Sequence, residues 1–192
     1  MKTASARRPF ECPYPDLMEI VLLDQVVKTD YGQLDVIWIL DGGFDGDSDR
    51  YFAGQVNGLV GASASSGVYI NLARRSGGSH VRMVLREAPP ANDDARWEDV
   101  VEVSFAIPTG HEVRWCSWAG ESWGALKAII PGSYRMRVSA SGRDEGRDGE
   151  FFHGVVDTYL VQLWPDNLKP DAILRATSED GQYWHREFGS RR

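Results

Sequence analysis

The sequence is poor in cysteine and contains no long apolar run. It has two cysteines, Cys12 and Cys116, among 192 residues. Two cysteines cannot build the disulfide framework of a small secreted domain, so free thiols in a reducing compartment are the simpler interpretation. No apolar segment is long enough to cross a bilayer, and no apolar stretch follows the basic N-terminus as it would in a signal peptide. We therefore predict a cytoplasmic protein that does not enter a membrane.

Recognisable catalytic motifs are also absent. The sequence contains no GxSxG, HExxH, P-loop or GxGxxG pattern. Its four histidines are scattered, and none has the spacing to another histidine or to a cysteine that a zinc site requires. Cys116 has His111 and Arg114 near it in sequence, but a buried structural thiol is the simpler interpretation. A non-enzyme is favoured, although His and Asp brought together from separate strands would leave no local motif.

The chain lacks a positive charge excess. Its formal net charge is −7 and its pI is about 5.1. Non-specific nucleic-acid binding neutralises phosphates with Lys and Arg, so we expect no direct contact with nucleic acid. The acidic balance can simply keep the protein soluble. The functional alternative is an acidic face that meets a basic protein partner.

Short strands separated by Gly, Pro and Asp turns dominate the sequence. Tyr134, Met136, Val138 and Ala140 alternate with polar residues, which is the period of a half-buried strand. The segment Asp157–Trp164 is nearly continuously apolar, as a buried strand would be. We predict that these two strands form an antiparallel pair at the centre of a sheet.

The strand pattern predicts one all-β domain. We expect roughly nine or ten short strands in an antiparallel β-sandwich, including a hairpin of Val68–Ala73 with His80–Arg86. No amphipathic helix of normal length is predicted. Residues 1–16, with three prolines, are predicted as an extended N-terminal arm, residues 17–177 as the β-sandwich domain and residues 178–192 as a C-terminal tail.

One glycine-rich loop concentrates negative charge. Between residues 41 and 49 the loop carries Asp41, Asp45, Asp47 and Asp49. The spacing of Asp45, Asp47 and Asp49 resembles the start of a calcium loop, but Arg50 and the later position 56 do not match the glycine and glutamate of an EF-hand. We favour a solvated acidic loop that binds a partner, with calcium as the alternative and no other cofactor.

Three tryptophans are concentrated in a short region. Trp115, Trp118 and Trp123 lie within nine residues of one another. They could pack in the core, or they could form a stacking platform for a sugar or a hot spot for a protein. Both interpretations stay open, and in the second of them the three tryptophans are candidate binding residues.

The central strands carry a family resemblance. Gly132–Val138 and Asp157–Trp164, with Val101–Pro108 upstream and Leu22–Asp24 near the start, resemble strands of the competence protein J family, whose members inhibit a DNA-entry nuclease. The resemblance spans about Met18 to Trp164. It implies the family's β fold and an inhibitor role, and it identifies no site residue. The chain departs from the family in its proline-rich N-terminal arm and its C-terminal segment.

Two functions follow as hypotheses. The first is an acidic protein-binding β-sandwich, an inhibitor or immunity-type partner of a basic protein such as a nuclease. It would use the loop aspartates and a second acidic group made of Asp93, Asp94, Glu98 and Asp99. The second is a carbohydrate- or small-ligand-binding β-sandwich that uses the tryptophans, with calcium assisting. The oligomeric state is not predicted.

Overall fold

The protein consists of two β-sheets and three short α-helices. The computed structural model describes residues 19–91, 94–149 and 152–189. The predicted N-terminal arm and Cys12 lie outside the described residues. The strands are β1 (Glu19–Asp30), β2 (Gln33–Ile37), β3 (Val60–Gly61), β4 (Gly67–Asn71), β5 (Ser76–Arg86), β6 (Asp99–Ile107), β7 (Arg114–Ser117), β8 (Trp123–Ala125), β9 (Gly132–Ser141), β10 (Thr158–Pro165) and β11 (Ala172–Ala176). The helices are α1 (Ser48–Phe52), α2 (Arg143–Asp148) and α3 (Glu179–Glu187).

The larger sheet, sheet A, has the strand order β1-β5-β10-β9-β6-β11. The predicted central pair is confirmed, because β9 and β10 are antiparallel neighbours with Val161 opposite Val138. Both strands lie inside the sheet, where β10 is buried along most of its length. Alternation was sufficient to find β9, and a nearly continuous apolar run was sufficient to find β10, because each signal lies within its own short segment.

Sheet A is mixed, which differs from the predicted antiparallel arrangement. Strands β5 and β10 run parallel, with Val161 opposite Met83. The predicted hairpin of β4 with β5 is also wrong. Strand β4 belongs to the smaller of the two sheets and β5 to sheet A, so the chain crosses from one sheet to the other between them. Arg74 holds this crossing, because its guanidinium donates to the carbonyl oxygens of Ser76 at 2.9 Å and Gly78 at 3.0 Å.

The smaller sheet, sheet B, has the order β3-β4-β2-β7-β8, and all its neighbours are antiparallel. Its central strand β2 is buried along all five residues. Leu34 and Val36 face the main core, where they meet residues of sheet A such as Met83 and Val161. Since side chains alternate along a strand, Gln33, Asp35 and Ile37 face the opposite side of sheet B.

A second layer covers that opposite side of sheet B. Tyr51 and Phe52 of α1 form a small apolar cluster with Tyr69 of β4, and Phe44 and Phe188 pack against it. The Phe44 ring is stacked on Tyr69 with centroids 3.9 Å apart. Sheet B therefore lies between sheet A and a layer of loop and helix.

Helix α3 contributes to this layer and lies in the segment predicted as a tail. It begins after Ser178, whose hydroxyl accepts a hydrogen bond from the backbone N–H of Gly181 at 2.8 Å. Such a cap satisfies one of the unpaired donors of the first turn. Trp184 and Phe188, four residues apart, share one helix face, with ring centroids 4.6 Å apart. In the described part of the chain, no helix is long and apolar enough to cross a membrane.

Candidate functional site

Four side chains form a row across the outer side of sheet B. Asp35 of β2 lies opposite Tyr69 of β4 and opposite Cys116 of β7, and Cys116 in turn lies opposite Trp123 of β8. Residues directly opposite in antiparallel strands point to the same face of a sheet. The row therefore points away from the main core, toward the loop that follows β2.

The row opens into a pocket of about 350 Å³. Asp35, Cys116 and Trp123 of the strands line it, together with Asp41 and Phe44 of the loop. The pocket thus brings together two predicted binding residues, Asp41 and Trp123, and a buried carboxyl group.

Asp35 has hydrogen bonds on one side only. Its Oδ2 accepts from Gln33 Nε2 at 2.6 Å and from the backbone N–H of Phe44 at 3.2 Å. Its Oδ1 is buried and has no hydrogen-bond partner among the described residues. The loop comes this close because residue 43 is glycine: a Cβ there would lie 3.0 Å from Asp35 Oδ2.

Among the described residues, no cation contacts the Asp35 carboxylate. Asp35 is 1% exposed, and burial raises the pKa of its carboxyl group to about 6. The charge of Arg50 opposes this shift from a distance, but its guanidinium is bound to Asp45 at 3.1 Å and to the carbonyl of Gly43 at 3.2 Å. At neutral pH the pocket therefore holds a largely ionised carboxylate without a paired cation.

Cys116 is a weak nucleophile in this setting. Burial, followed by the charge of Asp35, raises the pKa of the thiol to about 12. Its Sγ lies 4.0 Å from Asp35 Oδ2. A thiolate is the reactive form of cysteine, so the interpretation of Cys116 as a structural thiol is the one supported by this geometry.

The three tryptophans occupy different environments. Trp115 lies in the main core. Trp118 is 38% exposed, and its ring lies 5.2 Å from that of Tyr31. Trp123 is 59% exposed, and the Arg114 guanidinium lies 4.9 Å from its ring centroid. Trp115 is therefore a core residue, whereas Trp118 and Trp123 lie at the surface.

The acidic loop divides in a similar way. Asp41 lines the pocket, whereas Asp45, Asp47 and Asp49 are exposed beside it. Asp45 is paired with Arg50, and Asp47 caps α1 by accepting from the Arg50 N–H at 3.1 Å. Within residues 19–91, 94–149 and 152–189, no group of three His, Cys, Asp or Glu is placed to hold a metal ion.

The second acidic group is not an exposed patch. Asp99 is buried and is bonded to Ser178 at the start of α3. Glu98 accepts from the backbone N–H of Gly142 at 2.8 Å, and Asp94 is paired with Arg96 at 3.1 Å. The remaining member, Asp93, lies outside the described residues. The packing of α3 against β6 explains the difference, because it encloses Asp99.

Asp35 was missed by sequence reasoning, although a signal was present. It is the one charged residue in the strand Gln33–Ile37, and aspartate is depleted in strands and in cores. A lone carboxylate in an otherwise apolar strand indicates either a specific partner or a functional site. The covering loop and helix, which make Asp35 buried, are not visible in the strand itself.

Comparisons with known proteins give a likeness in fold. No family model matches the sequence, and no curated protein matches it. ComJ of Bacillus subtilis, described as an inhibitor of the DNA-degrading activity of NucA, superposes with a TM-score of 0.54 at 16% identity, over 78% of this chain and 99% of ComJ. The crocagin biosynthetic gene J product gives a TM-score of 0.47 at 16% identity, over 79% of this chain and all of that protein. The resemblance to the competence protein J family, predicted from the central strands, is thus confirmed as a similarity in fold to ComJ.

Proposed function

We propose that this protein binds a basic protein partner, such as a nuclease, as an inhibitor or immunity-type protein. The binding surface is the acidic face, defined here as the loop 41–49 together with the pocket that contains Asp35 and Trp123. The observation that carries the proposal is the Asp35 carboxylate, which is buried at this pocket without a cation. Asp41 of the adjoining loop lines the same pocket, and Asp45, Asp47 and Asp49 are exposed on that loop.

Electrostatics supports a basic partner. A nuclease must present a cationic surface to DNA phosphates, and an acidic protein can occupy that surface. The net charge of −7 would also speed the encounter at low salt. The likeness in fold to ComJ, itself described as a nuclease inhibitor, supports the choice of a nuclease as the partner class.

An aromatic residue at the rim supports a protein surface. Trp123 is more than half exposed at the edge of the pocket. Tryptophan is enriched among the residues that dominate binding energy in protein interfaces, because it removes a large apolar area from water. The acidic face therefore combines charge for steering with an apolar anchor.

Inhibition of DNA cleavage tests the proposal. Basic nucleases of the source organism are purified, and cleavage of a fluorescent DNA is measured with and without the protein. We expect inhibition that weakens as ionic strength rises from about 0.01 M to about 0.15 M, since the Debye length then falls from about 30 Å to about 8 Å. Absence of inhibition for every such nuclease, or inhibition indifferent to salt, would contradict the proposal.

A charge-neutralised variant assigns the surface. Asparagine at positions 41, 45, 47 and 49 removes four charges and retains the side-chain oxygen that caps α1. We expect inhibition at least about tenfold weaker, because charge complementarity is lost. The matched control neutralises four exposed carboxylates elsewhere, at Glu87, Asp94, Glu145 and Asp148. Equal losses in the two variants would show that net charge alone acts, and would refute this surface.

Carbohydrate binding remains the second candidate because Trp118 and Trp123 are exposed. Tyr31 lies against the first ring and Arg114 against the second, so each ring already has a neighbour on one side. Asp45 and Asp47 are engaged in local contacts, which does not favour a calcium-assisted site. Tryptophan fluorescence titrated with a panel of oligosaccharides tests this candidate, and a saturable change would favour it.

A further inference from the structure

The pocket contains a buried carboxylate, that of Asp35, without a paired cation. We propose that the pocket of Asp35 receives the guanidinium of one arginine side chain, which the basic partner inserts between the loop and Trp123. This proposal rests on the proposed function, because it takes the arginine to belong to the basic partner. It names the chemical group that the pocket recognises.

Asp35 Oδ1 is buried without a hydrogen-bond donor among the described residues. The donors that the structure gives to Asp35, which are Gln33 Nε2, the Phe44 N–H and the more distant Cys116 thiol, all reach Oδ2, and Oδ1 is left without one. A buried polar atom without a partner is uncommon in proteins and is costly, more so when it carries charge. An incoming N–H donor would satisfy Oδ1 and neutralise the carboxylate at the same time.

The charges around Asp35 leave it available. Arg50 is engaged with Asp45, and Arg114 is paired with Glu112 at 3.2 Å. Asp41 adds a further negative charge at the pocket lining. The charged side chains that line the pocket are Asp35, Asp41 and Arg114, so acidic groups outnumber basic ones there. Neither Arg50 nor Arg114 is paired with the Asp35 carboxylate.

The walls of the pocket suit arginine. Trp123 lies two strands from Asp35, which corresponds to a strand separation of about 10 Å, and Cys116 lies between them. Ile37 and Leu40 add apolar surface for an aliphatic stem. A guanidinium is planar and weakly hydrated, so it stacks on aromatic rings and loses less on burial than an ammonium. Arg114, already over Trp123, shows that this wall accepts such a group.

A titration with one isolated arginine side chain tests the proposal. The full chain at pH 7.5 is titrated with N-acetyl-arginine amide, and the indole N–H of Trp123 and the backbone amide of Cys116 are followed by NMR. We expect saturable shifts with a millimolar dissociation constant, as for a small ligand held by few contacts. In Asp35→Asn, binding should weaken by at least about tenfold, since the buried charge partner is removed.

The controls separate the pocket from general charge. Glu87→Gln makes the same change of charge at an exposed position after β5 and should bind as the wild type does. N-acetyl-lysine amide should bind several-fold more weakly than the arginine probe. No binding by the wild type, equal binding by Asp35→Asn, or stronger binding of the lysine probe would each overturn the proposal.

This experiment needs no partner protein, so its failure is distinguishable from failure of the proposed function. An inhibitor that uses another face would block a nuclease and fail the titration. A pocket that binds arginine in a protein that blocks no nuclease would pass the titration and fail the cleavage assay.

Discussion

Two buried acidic regions of this molecule differ in whether a cation accompanies them. In the first region, Asp99 and Asp180 surround the fully buried Arg143. Its guanidinium nitrogen Nη2 lies 2.5 Å from Asp180, and its Nε lies 3.7 Å from Asp99. In the second region, Asp35 is equally buried, but in the described part of the chain no cation contacts it.

The difference separates a structural role from a binding role. Arg143 also donates to the carbonyl of Asn71 at 2.8 Å, so it joins the start of α2 to β4 and α3. Such an enclosed network fixes how elements pack. A buried carboxylate without a paired cation instead lowers the stability of the fold, unless a cation from outside the chain binds it. The contrast fits a structural role for the Arg143 cluster, and it supports the proposal that Asp35 serves recognition.

Removing the cation of the first region should have the largest effect. Arg143→Met leaves Asp99 and Asp180 buried without their partner, and we expect a loss of about 3–5 kcal/mol in the free energy of unfolding. Urea denaturation followed by tryptophan fluorescence measures it. The matched control is Arg147→Met on the same helix, where the ion pairs are solvent-exposed and are worth about 0–1 kcal/mol. Similar losses in both variants would remove the contrast between the two regions.

Removing the charge of the second region should instead stabilise the protein. The pKa of Asp35 is about 6 in the folded state against an ordinary value of 3.8, so its ionisation destabilises the fold by about 3 kcal/mol above pH 7. This cost disappears as pH falls from about 6 to about 4, because the folded state then holds the proton. Asp35→Asn should therefore be more stable than the wild type at pH 8 and no more stable at pH 4. A destabilised variant at pH 8 would contradict the account.

The pH test compares the free energy of unfolding of the wild type with that of Asp35→Asn at each pH. The groups whose charges couple to Asp35 are Arg50, Tyr51, Tyr69 and Cys116. The tyrosines and the cysteine have raised pKa values and stay neutral from pH 4 to pH 8. His185 acts in the opposite sense in both proteins, because burial lowers its pKa to about 4 and stability is lost as pH falls below about 6.5. Its contribution cancels when the two proteins are compared.

A smaller effect is expected at the thiol beside Asp35. With its pKa raised to about 12, Cys116 should react with iodoacetamide at pH 8 about 100-fold or more slowly in the folded protein than in urea. Peptide mapping by mass spectrometry resolves it from Cys12. Asp35→Asn should speed the reaction modestly, because one of the two causes of the shift is removed. Rapid alkylation in the folded wild type would show that the pocket floor is not as enclosed as described.

Sequence patterns recovered what depends on neighbouring residues. The alternation around Met136 and the apolar run ending at Trp164 predicted the central pair of sheet A. They failed where distant segments decide the outcome. The predicted hairpin is wrong because β4 and β5 join different sheets, and α3 was missed because its nine residues include few apolar ones and its position is secured by Arg143 and Asp99.

The candidate site was predicted in part for the same reason. The acidic loop and Trp123 are visible as local concentrations of charge and aromatic rings. Their meeting at one pocket depends on the order of β2, β7 and β8 in sheet B. The burial of Asp35 depends in addition on Gly43, which lets the loop approach.

The most direct measurement is the pKa of Asp35, read from the chemical shift of its carboxyl carbon in the free protein and with N-acetyl-arginine amide at saturation. The account predicts about 6 in the free protein and a fall of at least about one unit in the bound state, since a paired cation favours the charged form. A free value near 4, or a value unchanged by the arginine probe, would contradict the claim that Asp35 is held unpaired to receive a cation.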